Sequence, residues 1–260
     1  MARFFKKREA AKGQSPGALI FIGNKKVENI RLRIIDYDQA QLKEDELNNI
    51  ADGAEFKQTK TVTWINVDGL HDLSTMKEIG QTFDLHPLLV EDILNTGQRP
   101  KLEVFDNCLF IVLKMIRYEK EKQMIVNEQL SMVLGDTFLL TFQEQPGDVF
   151  EPVRERIRNQ KGRIRGAGID YLAYALLDTV VDNYIFIIEK LGEKIEDIEE
   201  EVLEKADAGV MEKINMFKRE MNFLRKSIRP AREAIIQLSK LDSELIREQT
   251  IPFLKDLQDL

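Results

Sequence analysis

Pairs of carboxylates spaced along predicted helices are the side chains of this sequence that are best suited to chemistry. In segment 87–95, apolar residues recur four positions apart and define the buried side of a short helix. Glu91, Asp92 and Asn95 then share the opposite, exposed side. Carboxylate ligands suit hard cations such as Mg²⁺, which binds through one or two carboxylates and keeps several waters.

Two further acidic pairs lie in the second half of the chain. Asp178 and Asp182 are four residues apart, a like-charge spacing that costs roughly a few tenths of a kcal/mol in a helix unless it is compensated. Asp256 and Asp259 are three residues apart near the last residue. Each pair fits a solvated helix face as well as a metal site, and spacing alone does not bring the pairs together in space.

Other catalytic chemistry has few candidates in this sequence. His71 and His86 are the two histidines, and Cys108 is the single cysteine, so a zinc or copper centre would be short of ligands. No glycine-rich phosphate loop, GxSxG elbow, CxxC pair or HExxH motif is present. We therefore expect no enzymatic activity, a capping role for His86 before Pro87, and a buried position for Cys108 in an apolar strand.

Composition favours an ordinary globular protein. The 260 residues are 32% charged and 43% hydrophobic, and the net charge of -7 argues against a nucleic-acid partner. A single cysteine fits a reducing cytosol. No uninterrupted apolar stretch approaches the ~20 residues that span a bilayer. The basic cluster in residues 1–17 predicts a disordered N-terminus.

The elements that must position the first acidic pair are predicted as a mixed α and β region, residues 18–147. A helix over 72–83 and a second helix from Pro87 accompany the strands, and Gly135 marks a hairpin turn. The fold class is therefore α+β, with a mixed, largely antiparallel sheet. The strand-like runs are 18–22, 30–34, 61–67, 108–118, 127–134 and 137–142.

The remaining acidic residues lie in a region of helical periodicity, residues 148–250. Apolar residues recur at steps of three and four from Leu172 to Val202, which predicts a helix of roughly 35 residues. A second long helix follows a break at 206–209, so the two form an antiparallel hairpin, and Pro230 is expected to kink the second helix. A third helix starts near Pro252, and because no stop signal closes it, we expect 251–260 to be the start of a longer stalk helix.

Several blocks of this sequence resemble the cytosolic domain of the CorA family of magnesium/cobalt channels. The likeness runs in one unbroken order from about residue 18 to the last residue. The blocks that carry it are His86-Pro87-Leu88-Leu89-Val90-Glu91-Asp92-Ile93-Leu94-Asn95, Gln98-Arg99-Pro100-Lys101, Phe110-Ile111-Val112-Leu113-Lys114-Met115, Phe142-Gln143-Glu144, Gly147-Asp148-Val149-Phe150, Pro152-Val153-Arg154-Glu155-Arg156-Ile157-Arg158 and Asp170-Tyr171-Leu172.

The resemblance implies an architecture and an assembly. An αβα sandwich domain would carry the long hairpin, and the last helix would line the axis of a funnel-shaped homopentamer. The family's Gly-Met-Asn pore signature and membrane helices are expected beyond Leu260, so the chain would be the cytoplasmic part of an inner-membrane protein, attached to the membrane through those helices.

The resemblance also implies regulatory divalent sites between neighbouring subunits. Asp92 would face Asp256 of a neighbour as the principal pair, and Glu91 and Asp178 would form a second, weaker site that shares Asp256. The ion would be Mg²⁺, with Co²⁺ as a further candidate. At Gly97, where some relatives place a histidine, this chain has no side chain to offer.

Two alternatives remain open at this stage. A ZntB-like zinc transporter would share the fold and differ in the ion and its direction, although the scarcity of His and Cys favours magnesium. A helical-hairpin adaptor that binds protein partners would show no response to divalent cations. The gene beyond Leu260 would separate the channel from the adaptor.

Overall fold

A seven-stranded mixed sheet forms the centre of the N-terminal half of the chain. The computed structural model describes residues 12–119, 124–204 and 207–259. The strands are β1 Arg31–Tyr37, β2 Leu42–Leu47, β3 Val62–Asp68, β4 Lys101–Val104, β5 Leu109–Glu119, β6 Met124–Leu134 and β7 Phe138–Gln143. Their order is β2-β1-β3-β7-β6-β5-β4, and every neighbouring pair is antiparallel except β3 and β7.

Helices cover both faces of this sheet. They are α1 Leu73–Thr82, α2 Pro87–Leu94, α3 Glu151–Arg158, α4 Ile169–Glu204, α5 Ala208–Ser239 and α6 Ile251–Asp256, with short 3-10 helices at Ile50–Gln58 and Leu257–Asp259. One hydrophobic cluster joins the sheet to α1 and α2, and a second joins its other face to α3, α4 and α5. The predicted α+β fold with an αβα sandwich and a following helical hairpin is confirmed.

The strands that the sequence pattern predicted lie in the interior of the sheet, where most of their residues are buried. All six residues of β7 are buried, and four of them are apolar, so the strand has no exposed polar face. The predicted hairpin at Gly135 is confirmed, because β6 and β7 pair antiparallel with Leu134 opposite Leu139. The predicted strands over 30–34, 61–67, 108–118 and 127–134 are confirmed as β1, β3, β5 and β6.

The two edge strands and the first predicted strand are where the prediction was wrong. Residues 18–22 form no strand. Ile22 makes a single isolated bridge to Asn95, in which its backbone hydrogen-bonds to Leu94 and Thr96 on either side of that residue. The edge strand β2 has the sequence LKEDEL, and its four central residues are exposed. The strand therefore has no apolar face that the sequence could reveal. The other edge strand, β4, has only 4 residues.

The long helix α4 lies on the sheet and carries the hairpin. It has 36 residues, close to the predicted length. Among the described residues it is the one helix whose length and composition would suit a membrane span, and 56% of its apolar window is buried inside the structure. Tyr184 donates a hydrogen bond to the carbonyl oxygen of Lys114 at 2.5 Å, and Asn183 donates one to that of Ile116, so α4 packs here as a core helix.

The hairpin of α4 and α5 is held by cross-helix ion pairs in its distal part. Lys194 lies 2.9 Å from Glu220, and Lys213 lies 2.5 Å from Glu201. Helix α5 continues across Pro230, so the proline interrupts the hydrogen bonding without ending the helix. The kink at this position stays a prediction, and most of the predicted disordered N-terminus, residues 1–11, lies outside the described residues.

A buried carboxyl within β6 makes the stability of the fold depend on pH. Glu128 is 1% exposed, and it accepts hydrogen bonds from the backbone N–H of Gln145 at 2.8 Å and from Arg117 at 3.3 Å. Burial raises its pKa to about 7, with a further rise from Glu144 and opposition from Lys26. Because the pKa in the folded chain lies above that of the unfolded chain, the fold loses stability as pH rises from about 4.5 through 7.

We therefore expect Glu128→Gln to stabilise the protein at pH 8 by about 1–3 kcal/mol and to have little effect at pH 4.5. The amide keeps the acceptor for Gln145 and carries no charge to desolvate. Urea unfolding at the two pH values measures the difference, with the exposed Glu78→Gln on α1 as a matched control. An equal effect of Glu128→Gln at both pH values would contradict the assignment.

Candidate functional site

The helix α2 presents the first acidic pair on the side predicted from the sequence. His86 caps the helix by accepting a hydrogen bond from the backbone N–H of Leu88 at 3.2 Å, which confirms the predicted role. Leu89 is fully buried, as are its neighbours on the inner side, so Glu91 and Asp92 lie half-buried on the outer side.

Asn95 does not join this exposed side. It is only 7% exposed, because α2 ends at Leu94 and the chain turns back toward the sheet. Its side-chain oxygen accepts from the backbone N–H of Gly97 at 3.3 Å, and its carbonyl oxygen accepts from Gln129 at 3.1 Å. The prediction that placed Asn95 beside Asp92 was therefore wrong.

Asp92 is held by two side chains of its own chain. Lys101, the first residue of β4, pairs with one carboxylate oxygen, and the side-chain amide of Gln98 donates to the other. Lys101 also lies 2.7 Å from Glu103. Burial opposes the charged ammonium, but its hydrogen bonds to Asp92 and Glu103 outweigh burial and raise the pKa of Lys101.

An open depression of about 450 Å³ lies beside these residues. It combines acidic side chains with exposed apolar ones, since Leu88 is 44% and Val104 is 58% exposed. Glu91 is fixed at its rim, where it accepts a hydrogen bond from the backbone N–H of Gly17 at 2.6 Å. The lining residues are Leu88, Glu91, Asp92, Glu103, Val104 and Phe105.

A second acidic group lies between α4 and α6. Burial raises the pKa of Asp178, repulsion from Asp182 and Asp256 adds to the rise, and Arg156 opposes it. The structure thus brings Asp178 and Asp256 of one chain into electrostatic range of each other, which sequence spacing did not show. Asp182 and Asp256 are exposed to solvent.

Aromatic packing fixes α6 in this position. The rings of Tyr171, Tyr174 and Phe253 lie in mutual contact, with each pair of centroids 5.3 Å apart. The linker before α6 is anchored as well, since the buried Asp170 accepts a hydrogen bond from the backbone N–H of Arg247 at 3.0 Å. Asp256 is therefore held against α4 by its own helix.

The two acidic groups do not form one metal site within a chain. Over residues 12–119, 124–204 and 207–259, no three or more His, Cys, Asp or Glu side chains cluster in a way that would hold an ion. The carboxylate oxygens nevertheless fit Mg²⁺, which needs few protein ligands. An ion at Asp92 or at Asp178 would need its remaining ligands from water or from a second chain.

Sequence reasoning missed the two side chains that contact Asp92 in this candidate site. Lys101 lies nine positions after Asp92, across the end of a helix and the start of a strand, so neither periodicity relates them. The one available signal was that Gln98 and Lys101 lie together in a block that carries the family resemblance.

Comparison with known proteins gives a consistent result. Residues 59–260 match the family described as CorA-like Mg²⁺ transporter protein. The chain is similar to the cobalt/magnesium transport protein CorA of Thermotoga maritima, with 39% identity over 254 residues that cover 98% of this chain and 72% of that protein. It spans less than two thirds of the length of the next curated relatives that it matches.

Solved structures share the fold. The soluble domain of CorA from Methanocaldococcus jannaschii matches with a TM-score of 0.71 and 19% identity, over 89% of this chain and 87% of that one. The cytoplasmic domain of ZntB from Vibrio parahaemolyticus matches with a TM-score of 0.63 and 14% identity, over 89% of this chain and 91% of that one. At these identities the likeness concerns the fold alone.

Proposed function

The chain belongs to the CorA-like family of Mg²⁺ transporters, and from that premise we propose that it is the cytosolic divalent-cation sensor that gates such a transporter. The observation that carries this proposal is the 39% identity to a cobalt/magnesium transport protein over 98% of the chain. Conduction of Mg²⁺, and of Co²⁺, belongs to the whole transporter, and sensing belongs to this chain. The ion is cargo of the whole protein and a regulatory ligand of this part.

We assign the parts of this proposed function to three segments of the chain. Residues 18–147 contain the sheet and form the sensor domain, and 148–250 form the helical region with the long hairpin. Residues 251–260 begin the stalk helix that leads toward the membrane. The proposed assembly is a homopentamer whose sensor domains lie in the cytoplasm at the inner membrane.

The proposed regulatory sites lie between subunits of that ring. Asp92 of one subunit and Asp256 of its neighbour form the principal site, and Glu91 and Asp178 contribute to a weaker site that shares Asp256. Two features support this arrangement. Both Asp256 and the outer side of α2 are accessible, and no complete metal cluster lies among the described residues of one chain.

Electrostatics decides whether neighbouring subunits attract or repel each other at these sites. Two carboxylates about 4 Å apart repel by roughly 1 kcal/mol in water and about 4 kcal/mol at an intermediate dielectric. A bound Mg²⁺ supplies two positive charges and turns the repulsion between subunits into attraction. When cytosolic Mg²⁺ falls, the carboxylates of adjacent subunits separate, and the ring loosens.

The binding free energy summed over five sites is large enough to shift the ring between a closed and an open state. One site filled at ten times its dissociation constant contributes about 1.4 kcal/mol, and five such sites contribute about 7 kcal/mol. A shift of a two-state equilibrium from 1:99 to 99:1 needs about 5.5 kcal/mol. Weak sites are therefore sufficient when they act together.

Titration of the protein with MgCl₂ tests the proposal. We expect Mg²⁺ to raise the thermal unfolding midpoint and to increase subunit association in sedimentation, because the ion binds only the assembled state. NaCl at matched ionic strength controls for screening. A helical adaptor would respond equally to both salts, and a zinc sensor would respond to ZnCl₂ without responding to MgCl₂. Either result would overturn the proposal.

A further inference from the structure

One ammonium group lies where the proposed ion binds. Lys101 contacts Asp92 and also lies 2.7 Å from Glu103, so a single positive charge is shared by two carboxylates. The side chain of Lys101 is 24% exposed, and its ammonium lies 5.6 Å from the centre of the Phe110 ring. These contacts restrict the ammonium, whereas an ordinary surface lysine samples many rotamers in water.

Strand β4 fixes the backbone of Lys101 by pairing with β5, where Lys101 lies opposite Val112. The flexible side chain can still reorient between the two carboxylates that it contacts. Gln98 binds the second oxygen of Asp92 and fixes the carboxylate in turn. The ammonium therefore lies at the margin of the depression that Asp92 and Glu103 line.

The chemistry of the two cations makes them competitors. A lysine ammonium is a compact, strongly hydrated charge that stays protonated near neutral pH. Mg²⁺ also needs the oxygens of Asp92, and two cations that share one carboxylate repel each other. An ion can bind Asp92 fully only after Lys101 has released it.

We propose that Lys101 is a built-in competitor of the divalent cation at Asp92, and that Glu103 is the partner to which it moves when the ion binds. The inference rests on the proposed function of Asp92. Lys101 thereby sets the concentration at which the site fills, and because its charge is shared with Glu103 it offsets only part of the charge of Asp92 in the ion-free state. Glu103 offers the displaced ammonium an acceptor that it already contacts, so release requires a small movement only.

The test compares Mg²⁺ midpoints, read from the thermal unfolding temperature, for the wild type and for Lys101→Met. We expect the Met variant to respond at about tenfold lower Mg²⁺, because the competing charge is gone while the apolar stem is kept. Lys190→Met makes the same change in net charge at an exposed pair with Glu193, and it should shift the midpoint less than twofold. Equal shifts for the two variants would overturn the inference.

Lys101→Arg covers a failure of Lys101→Met to fold, and Glu103→Gln tests the role of Glu103 as the alternative partner. Lys101→Arg should raise the midpoint, since a guanidinium binds a carboxylate bidentately and is harder to displace. Glu103→Gln should raise the midpoint in the wild type and have little effect together with Lys101→Met, because no ammonium is then left to accept. If Glu103→Gln acts equally in both backgrounds, Glu103 is not the alternative partner.

The same titration separates the inference from its premise. A wild type that does not respond to Mg²⁺ contradicts the proposed function and the inference together. A wild type that responds, with a response that Asp92→Asn removes and Lys101→Met leaves unchanged, contradicts the inference alone.

Discussion

Asp92→Asn removes most of the Mg²⁺-dependent stabilisation of the assembled protein. The amide keeps the size of the side chain and loses the charge that Mg²⁺ prefers in a ligand. Since every subunit of the proposed ring carries the change, the loss is about 7 kcal/mol for five sites at ten times their dissociation constant. The readout is the Mg²⁺-dependent fraction of assembled protein in sedimentation velocity.

Asp256→Asn should produce a loss at least as large, because the weaker site shares this carboxylate, and the double variant should lose no more than Asp256→Asn alone. Non-additivity is expected because both carboxylates hold one ion. Asp136→Asn, at the exposed turn between β6 and β7, provides the matched control for an Asp-to-Asn change. Additive losses, or a normal Mg²⁺ response of Asp92→Asn, would show that the two residues do not share an ion.

The second prediction with a large effect concerns the stability of the fold, and its subject is the buried ion pair of Asp148 and Arg154. Asp148 accepts hydrogen bonds from the two terminal guanidinium nitrogens of Arg154, and its carboxylate lies 3.1 Å from the guanidinium of Arg33. Arg154 is 4% exposed and stacks on Trp64, with 4.9 Å between its guanidinium carbon and the ring centre. Asp148→Asn leaves buried positive charge without its main partner, which typically costs about 3–5 kcal/mol.

Urea unfolding of Asp148→Asn measures this cost, and Glu151→Gln is the matched control. Glu151 also contacts Arg154, at 3.4 Å, but its side chain is 58% exposed, so its loss should cost less than about 1 kcal/mol. The Mg²⁺ midpoint of any folded Asp148→Asn protein should be normal. A cost near that of Glu151→Gln would mean that the buried pair is not a main support of α3.

Acid should weaken the same pair. Burial would raise the pKa of Asp148, but the hydrogen bonds and charge of Arg154, with the backbone N–H of Phe150 and the charge of Arg33, hold it at about 2. A folded-state pKa below the unfolded value means that the contribution is complete above about pH 4 and is lost as pH falls toward 2. In Asp148→Asn this part of the acid sensitivity should be missing.

The sequence predicted the parts of the fold where burial forces a periodic pattern. Strands β3, β5, β6 and β7 are largely buried, and each is rich in β-branched, aromatic or aliphatic residues. The charged edge strand β2 escaped detection because four of its six residues are exposed, so no alternating apolar pattern marks it. Residues 18–22 have the composition of a strand, but no neighbouring strand is free to pair with them beyond the single bridge at Ile22.

In the candidate site, too, the sequence predicted what periodicity determines and missed what the tertiary fold determines. Helical period placed Glu91 and Asp92 on the outer side of α2, because the apolar residues at 89 and 93 had to face the sheet. Contacts between distant segments follow from the tertiary fold alone. Neither the approach of Asp256 to Asp178 nor the contact of Lys101 with Asp92 has a sequence period that would reveal it.

Anomalous scattering from a Co²⁺-soaked crystal of the assembled protein would locate the ion at the subunit interface. We expect a peak between Asp92 of one subunit and Asp256 of the next, with Lys101 turned toward Glu103. An ordered subunit interface with these two carboxylates far apart, and no peak between them, would contradict it.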